Sequence, residues 1–334
     1  MKFTDKKFKV PQQHGLSLIE LMVSILLGVV LSSGIIAVYL ESKRNYAAEE
    51  ELARIQENGR FALDLLKREL SMAGLYGGYF LADDLPAVSV DTDCVTNWAL
   101  NVVPAIEVFN GKTETDLITS EGTDLSAVCI DPADWKSGTD VFTIKRTAAI
   151  ATVYEGALVN GAQLDPNEWY LKVENYGENK EWFNDSSFDP FDPNDAVEYW
   201  EIYAKIFYIK QENADDIPTL CVKSLGSDGM TRDQCLVEGI EDMQIEFGVD
   251  TNGDAVPNTY TPDPNDVSVA VTARIYLLVR SLGELYSTEN INTKKYQLGL
   301  DASAPFTPTG SEQRYLRQIF STTVLVRNSI LPAN

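Results

Sequence analysis

Residues 14–40, HGLSLIELMVSILLGVVLSSGIIAVYL, decide the fold of this chain. Residues 21–40 are twenty consecutive uncharged residues. At a helical rise of about 1.5 Å per residue they cover about 30 Å, which is the thickness of the hydrocarbon core of a bilayer. The stretch therefore predicts a transmembrane helix close to the N-terminus.

A cationic leader precedes this helix. Residues 1–15, MKFTDKKFKVPQQHG, contain four lysines and one aspartate, and positive charge before a first span places that end in the cytoplasm. An ordinary secretory signal is cut after its apolar region, at a small residue. Here the small residue, Gly15, comes before the apolar region. Cleavage between Gly15 and Leu16 would therefore leave the span in the mature protein.

One carboxylate, Glu20, lies at the start of the apolar stretch. An acidic residue at the centre of a span costs roughly 2.5–3.5 kcal/mol, so it calls for a cationic partner at the same depth. The new α-amino group of Leu16 is such a cation, available to the Glu20 of a neighbouring subunit. The segment GLSLIELMVSILLGVV thus resembles the type IV prepilin motif, which implies cleavage by a prepilin peptidase and methylation of Leu16. A plain signal anchor that tolerates Glu20 near the headgroups is the alternative.

Composition excludes several function classes. The 334 residues include 27 basic and 50 acidic side chains, and removal of the leader leaves a net charge of −26. Such a surface repels phosphate backbones, so we expect no nucleic-acid partner. The sole histidine, His14, lies in the leader, which excludes His-based triads and most zinc sites from a processed chain. We therefore predict that the protein is not an enzyme, although catalysis by a carboxylate pair stays open.

The chain contains four cysteines, Cys94, Cys129, Cys221 and Cys235, none of them in a CxxC motif. An even number beyond a membrane span, in a periplasmic region, predicts two disulfides. Three connectivities are open, and the local pairs Cys94–Cys129 and Cys221–Cys235 are the simplest. Four buried free thiols are the alternative.

The helix is predicted to continue through residues 41–74 with an amphipathic pattern. Apolar or small residues recur at steps of three or four and form one stripe: Ala48, Leu52, Ile55, Gly59, Ala62, Leu66 and Leu70. Gly59 predicts the close approach of another backbone, and Gly74 predicts the C-cap. The whole helix would be some fifty-five residues long. A bend near residues 39–43 or a kink at Gly34 is the alternative.

Beyond the helix, residues 75–200 predict a variable, loop-rich lobe with short strands at 140–146 and 169–173. Residues 201–334 alternate apolar and polar side chains, which predicts half-buried strands. These strands cover residues 202–208, 243–249, 269–279 and 316–326. Because each strand has one apolar face, the helix stripe must cover them. The predicted fold class is α+β, with one long helix packed on an antiparallel sheet.

Four segments together resemble the PilW family of minor pilins: RIQENGRFALDLLKRELSMAGLYG, VEGIEDMQIEFGVD, ARIYLLVRS and FSTTVLVRNSIL. The resemblance implies a type IV pilin-like fold and a subunit that initiates pilus assembly near the tip, for adhesion and twitching motility. It implies other minor pilins, the major pilin and a tip adhesin as partners. It also implies an inner-membrane precursor with a periplasmic domain that later enters the extracellular pilus. A J-type minor pseudopilin of type II secretion, or a DNA-uptake pseudopilus, is the alternative.

One loop is a candidate calcium site. Asp250, Asn252 and Asp254 have the alternating spacing of a calcium loop. Ala255 and Thr261 stand where an EF-hand requires Gly and Glu, so the loop is not an EF-hand. Weak calcium binding and a polar turn between two strands are the two alternatives. We expect no other cofactor.

Overall fold

In the computed structural model, the chain divides into two compact units between Glu50 and Glu51. The structure describes residues 15, 17–79, 85, 88–95, 97–111, 117–119, 122–125, 129–184, 196–262, 269–285, 291–299, 305–326 and 328. The first unit contributes the apolar part of the N-terminal helix. The second contains the rest of that helix and every strand described below.

Helix α1 runs from Leu18–Met72, a single element of 55 residues. It contains the predicted bend region at 39–43 and Gly34 without a break, so the continuous helix is confirmed. Gly74 follows its end with a φ of 75°, a left-handed conformation that glycine adopts without strain. The Gly74 amide donates to the carbonyl of Lys145 at 2.9 Å, which ties the helix end to a strand.

In the described ranges, thirteen strands follow α1, and all the pairings between them are antiparallel. Their bounds are β1 Ile106–Phe109, β2 Val141–Thr147, β3 Val153–Tyr154, β4 Ala157–Leu158, β5 Tyr170–Glu174, β6 Asn179–Phe183, β7 Val197–Lys210, β8 Thr219–Gly226, β9 Gly229–Glu238, β10 Ile240–Val249, β11 Thr259–Thr261, β12 Ala270–Arg280 and β13 Arg317–Leu325. Every strand predicted from the alternating pattern is present.

The strands form two sheets, where the sequence predicted one. Among the described residues, β1–β9 form a nine-stranded sheet centred on β7, and β10–β13 form a four-stranded sheet in the order β11-β10-β12-β13. The alternating pattern shows that each strand has one buried face, but it does not say which strands pair. Strand β7 therefore lies in a different sheet from β10, β12 and β13, with which it was grouped.

The main hydrophobic core lies between α1 and both sheets. On α1 its buried residues are those from Ile55 onward, whereas Leu52 is exposed, so the stripe packs over a shorter length than predicted. The opposing side chains come from both sheets, and they include Phe142 and Phe207 from the first and Ile245 and Leu277 from the second. The α+β class is thus confirmed, with one helix face covering two sheets.

Gly59 is explained by a side chain, and the predicted approach of a backbone is wrong. A Cβ atom at this position would lie 2.6 Å from the ring of Phe320 on β13. The ring therefore takes the space that any larger residue on α1 would fill. A glycine in a helix interior costs about 1 kcal/mol relative to alanine, which close packing of Phe320 offsets.

Residues 75–200 contain short strands between their loops. Strands β1–β6 lie in this range and pair into the same sheet as β7–β9. A second hydrophobic core lies under the segment around Cys94 and Trp98, where it packs against Val141, Leu171 and Ile206. The predicted boundaries at residues 75 and 201 remain predictions.

A buried carboxylate interrupts the apolar face of α1. Glu69 is 2% exposed, and its two oxygens bind two cations of the first sheet. Arg146 Nε and Lys205 Nζ each lie 2.9 Å from a Glu69 oxygen, and Arg146 also lies over the ring of Tyr203. Burial raises the pKa of Glu69, but Lys205 and Arg146 lower it by more than burial raises it. The net pKa therefore lies below the usual value. This cluster fixes the helix to the sheet at one rotation.

We predict that Glu69→Gln destabilises the second unit by about 3 kcal/mol, because it leaves the buried Arg146 and the partly buried Lys205 without their counter-charge. Urea denaturation of the detergent-solubilised protein measures this change. The control is Asp64→Asn, an exposed acid on the same helix, which should change the unfolding free energy by less than about 0.5 kcal/mol.

The parent protein and the Glu69→Gln variant can also be compared as a function of pH. Because the folded-state pKa of Glu69 is depressed, its contribution is present above its unfolded pKa near 4.5 and declines as the pH falls further. The difference between the parent and Glu69→Gln should therefore shrink below about pH 4.5. A difference that is constant with pH would rule out the ion cluster as its origin.

Candidate functional site

The predicted cleavage site lies at the start of the described chain. Gly15 is exposed, and α1 begins three residues later at Leu18. Leu16 and the leader residues 1–14 lie outside the described residues. The assignment of the cleaved bond and of the methylated amine therefore remains a prediction.

Glu20 forms a capping box with Ser17 at the first turn of α1. The backbone amide and the hydroxyl of Ser17 donate to Oε2 of Glu20 at 2.9 and 3.0 Å. The Glu20 amide donates back to the Ser17 hydroxyl at 3.2 Å. These bonds satisfy donors that a helix N-terminus otherwise leaves unpaired. They also hold the carboxylate at a defined position on the first turn.

The second carboxylate oxygen of Glu20 is left for another donor. Among the described residues, Oε1 accepts no hydrogen bond, since both bonds from Ser17 go to Oε2. A carboxylate in an apolar environment favours a cation on such an oxygen. The geometry thus leaves one acceptor free for an ammonium group that approaches from outside the helix.

Ser17 is a functional candidate that the sequence analysis missed. The signal was present, because Ser17-Leu18-Ile19-Glu20 has the Ser-x-x-Glu spacing of a capping box before an apolar run. The capping geometry explains why α1 begins at Leu18 and not earlier.

The apolar part of α1 is exposed along its length. Ile19, Leu31, Ile35 and Val38 are each about two-thirds or more exposed, and the helix is long and apolar enough to cross a membrane. Exposed apolar surface of this size requires lipid or other protein around it. This finding supports a membrane-anchored chain.

Both disulfides have the local connectivity. Cys94 pairs with Cys129 in the second core, and Cys221 pairs with Cys235 across neighbouring strands β8 and β9. The first bond joins two segments that lie outside the strands. The second lies beside a groove described below.

The loop after β10 is held by hydrogen bonds from its own backbone amides to Asp250. Both oxygens of Asp250 accept backbone N–H groups, from Asn252 at 3.0 Å, Gly253 at 2.8 Å and Ala255 at 2.7 Å. Burial raises the pKa of Asp250, but these amides lower it more, so the net pKa is below the usual value. Asn252 and Asp254 hydrogen-bond to each other at 3.2 Å. Of the two alternatives for this loop, the geometry favours the polar turn.

Among the described residues, two carboxyl groups have a raised pKa. Burial is the main cause for both Asp93 and Glu201. The Asp93 carboxylate accepts the backbone amides of Cys94 and Ala99, which is a structural role. Neither residue lines the groove described below. In the described ranges, no group of three or more His, Cys, Asp or Glu side chains is placed to hold a metal.

Two family models match the chain. Residues 206–328 match the family described as type IV pilus-assembly protein W, PilW, and residues 11–36 match the prokaryotic N-terminal methylation motif. The resemblances inferred from the sequence are thereby confirmed for these ranges. The helix segment at 54–77 that also resembled PilW lies outside both matches. No curated protein and no solved structure matches the chain.

We expect titration of calcium into the detergent-solubilised protein to give no binding heat, because the Asp250 oxygens are already hydrogen-bonded. The Asp254→Ala variant should behave identically, as should Asp215→Ala, a control at an exposed acid elsewhere. A calorimetric isotherm that Asp254→Ala abolishes and Asp215→Ala keeps would show that the loop binds calcium.

Proposed function

We propose that this chain is a minor pilin of a type IV pilus with a role in filament assembly. One observation carries the proposal: a single chain combines the methylation-motif match at 11–36 with the PilW match at 206–328. Either match alone would fit several membrane-anchored proteins. Together they fit a subunit that is processed at its N-terminus and built into a filament.

The first step is processing of the precursor in the inner membrane. The cationic leader holds the N-terminus in the cytoplasm while the second unit lies in the periplasm. A prepilin peptidase cuts after Gly15 and methylates Leu16. Cleavage replaces the neutral peptide nitrogen of Leu16 with a positively charged amino group at the depth of Glu20.

The second step is insertion into the filament. Ser17 holds Glu20 through Oε2, and Oε1 would then accept a hydrogen bond from the N-terminal amine of a neighbouring subunit. Because both charges lie in an apolar environment, pairing lowers the energetic cost of the carboxylate, which is roughly 2.5–3.5 kcal/mol at the centre of a span and less near its end. The pair sets axial register, and residues 21–40 then pack against neighbouring helices in the filament core.

Location and partners follow from the PilW resemblance. We place the subunit with other minor pilins near the tip, where assembly begins, with the major pilin below and a tip adhesin above. Adhesion and twitching motility would depend on it through assembly. No catalytic role is proposed, because the work of such a subunit is packing and charge pairing.

Mass spectrometry of the protein isolated from cells should find Leu16 as the first residue, with one added methyl group. The Gly15→Val variant should keep the leader, because a branched side chain blocks the peptidase at the scissile bond. The Gln13→Ala variant is the control and should be processed normally. Retention of Met1 in the unmodified protein would remove the basis of the proposal.

Glu20→Leu should leave cleavage intact but lower the amount of this subunit in sheared pili by on the order of tenfold, the effect of about 1.4 kcal/mol. The reason is that the N-terminal amine loses its partner while the helix keeps its apolar length. Immunoblots of pilus and membrane fractions measure the ratio, with Glu41→Leu beyond the span as control. Equal incorporation of Glu20→Leu and parent would contradict the pairing role.

A further inference from the structure

An open groove of about 600 Å³ lies where the flank of α1 meets the end of strand β9. The helix contributes Glu57, Asn58 and Phe61, and the sheet contributes Thr219 and residues 235–238. All of these residues belong to the second unit. The groove is therefore a feature of one folded body.

The groove contains two accessible apolar side chains. Phe61 is 56% exposed, although another face of this part of α1 is buried. Leu236 is half-buried beside it and packs on the main core. An aromatic ring and a leucine that share an open groove are typical anchors for a partner side chain.

A β-bulge sets the position of Leu236. Leu220 pairs with Val237, and the next residue, Cys221, pairs with Cys235, so Leu236 is the extra residue on β9. A bulge redirects the side chain of the extra residue and bends its strand. The Cys221–Cys235 disulfide holds the strands together directly beside it.

The groove is held in shape without a partner. The side-chain amide of Asn58 donates to the carbonyl of Glu238 at 2.9 Å, which fixes the helix flank to the end of β9. This bond and the disulfide both involve residues that line the groove. A preformed groove loses little conformational entropy on binding.

The charged side chains at the rim are acidic. Glu57 and Glu238 are exposed, and among the described residues no cationic side chain lines the groove. Within the part of the chain that the structure describes, neither carboxylate forms an ion pair. A complementary surface presents an apolar side chain with a lysine or arginine next to it. A second copy of this chain is a poor match, because each processed copy carries a net charge of −26.

From this chemistry we infer that the groove docks another subunit of the same filament, through an apolar side chain flanked by lysine or arginine. The inference rests on the proposed function and adds to it the surface by which the second unit recognises its neighbour. Pairing through Glu20 sets register in the membrane part. Docking at the groove, which includes Phe61 and Leu236, selects which subunit stands alongside.

Photocrosslinking in piliated cells tests the identity of the occupant. The Phe61→p-benzoylphenylalanine variant should crosslink to a different prepilin-type subunit, on a peptide with lysine or arginine within a few residues of the linked atom. The control variant carries the same probe at Tyr154, an exposed aromatic on β3, and should not give this product. A product with a second copy or with lipid, or no product at all from processed protein, would overturn the inference.

Charge reversal tests the recognition. The double variant Glu57→Lys and Glu238→Lys should lower both the crosslink and incorporation into sheared pili by about tenfold, because the rim would then repel the partner's cation. The matched control is Asp64→Lys with Glu155→Lys, two exposed acids outside the groove. Changing the partner's crosslinked lysine or arginine to glutamate should restore incorporation of the double variant.

Two further readouts separate this inference from the proposed function. Equal urea midpoints for both double variants exclude misfolding, and a mature N-terminus at Leu16 shows normal processing. If the parent protein enters pili but the groove variant enters equally well, only the groove assignment is wrong. If the parent is absent from pili, the proposed function itself is wrong.

Discussion

The packing of one face of α1, from Ile55 to Leu70, against two β-sheets is the constraint on which the second unit depends. Apolar residues of both sheets meet this helix face in the main core. Burial of apolar surface of this kind supplies most of the free energy of folding. It is not directional, however, and a smooth apolar face would let the helix slide or rotate. The buried Glu69, bound by Arg146 and Lys205, and the notch at Gly59, filled by Phe320, give the packing one register.

Two carboxylates on the same helix are handled in different ways. Glu69 receives both of its cations from the fold itself, so its charge is neutralised as soon as the chain folds. Glu20 receives only the amide and hydroxyl of Ser17, and one of its oxygens has no donor among the described residues. The first arrangement serves stability and geometry. The second leaves a charge to be neutralised by another molecule, which suits a contact that forms only when subunits assemble.

The apolar part of α1 and the groove in the second unit also differ in what they offer a partner. The membrane part of the helix offers an apolar surface that would suit many neighbouring helices, so it provides association with little selectivity. The groove combines Phe61 and Leu236 with two carboxylates on a fixed frame, and such a combination discriminates between partners by both shape and charge. The disulfide and the Asn58 hydrogen bond beside it are contacts within the chain, so the shape of the groove does not depend on a partner.

The sequence by itself determined what depends on local pattern: the long helix, its exposed apolar part, the C-cap at Gly74 and the strands with one buried face. Spacing and polarity along the chain are sufficient for these because each follows from a period of 3.6 or 2 residues. The Ser-x-x-Glu spacing of Ser17 and Glu20 is a local pattern of the same kind. Tertiary structure alone decided that β7 lies in a different sheet from β10, β12 and β13, that a phenylalanine ring fills the space at Gly59, that Glu69 meets two distant cations, and that a bulge places Leu236 in a groove. These features join residues far apart in the chain, and the periodicity of one segment carries no information about its partner across the core.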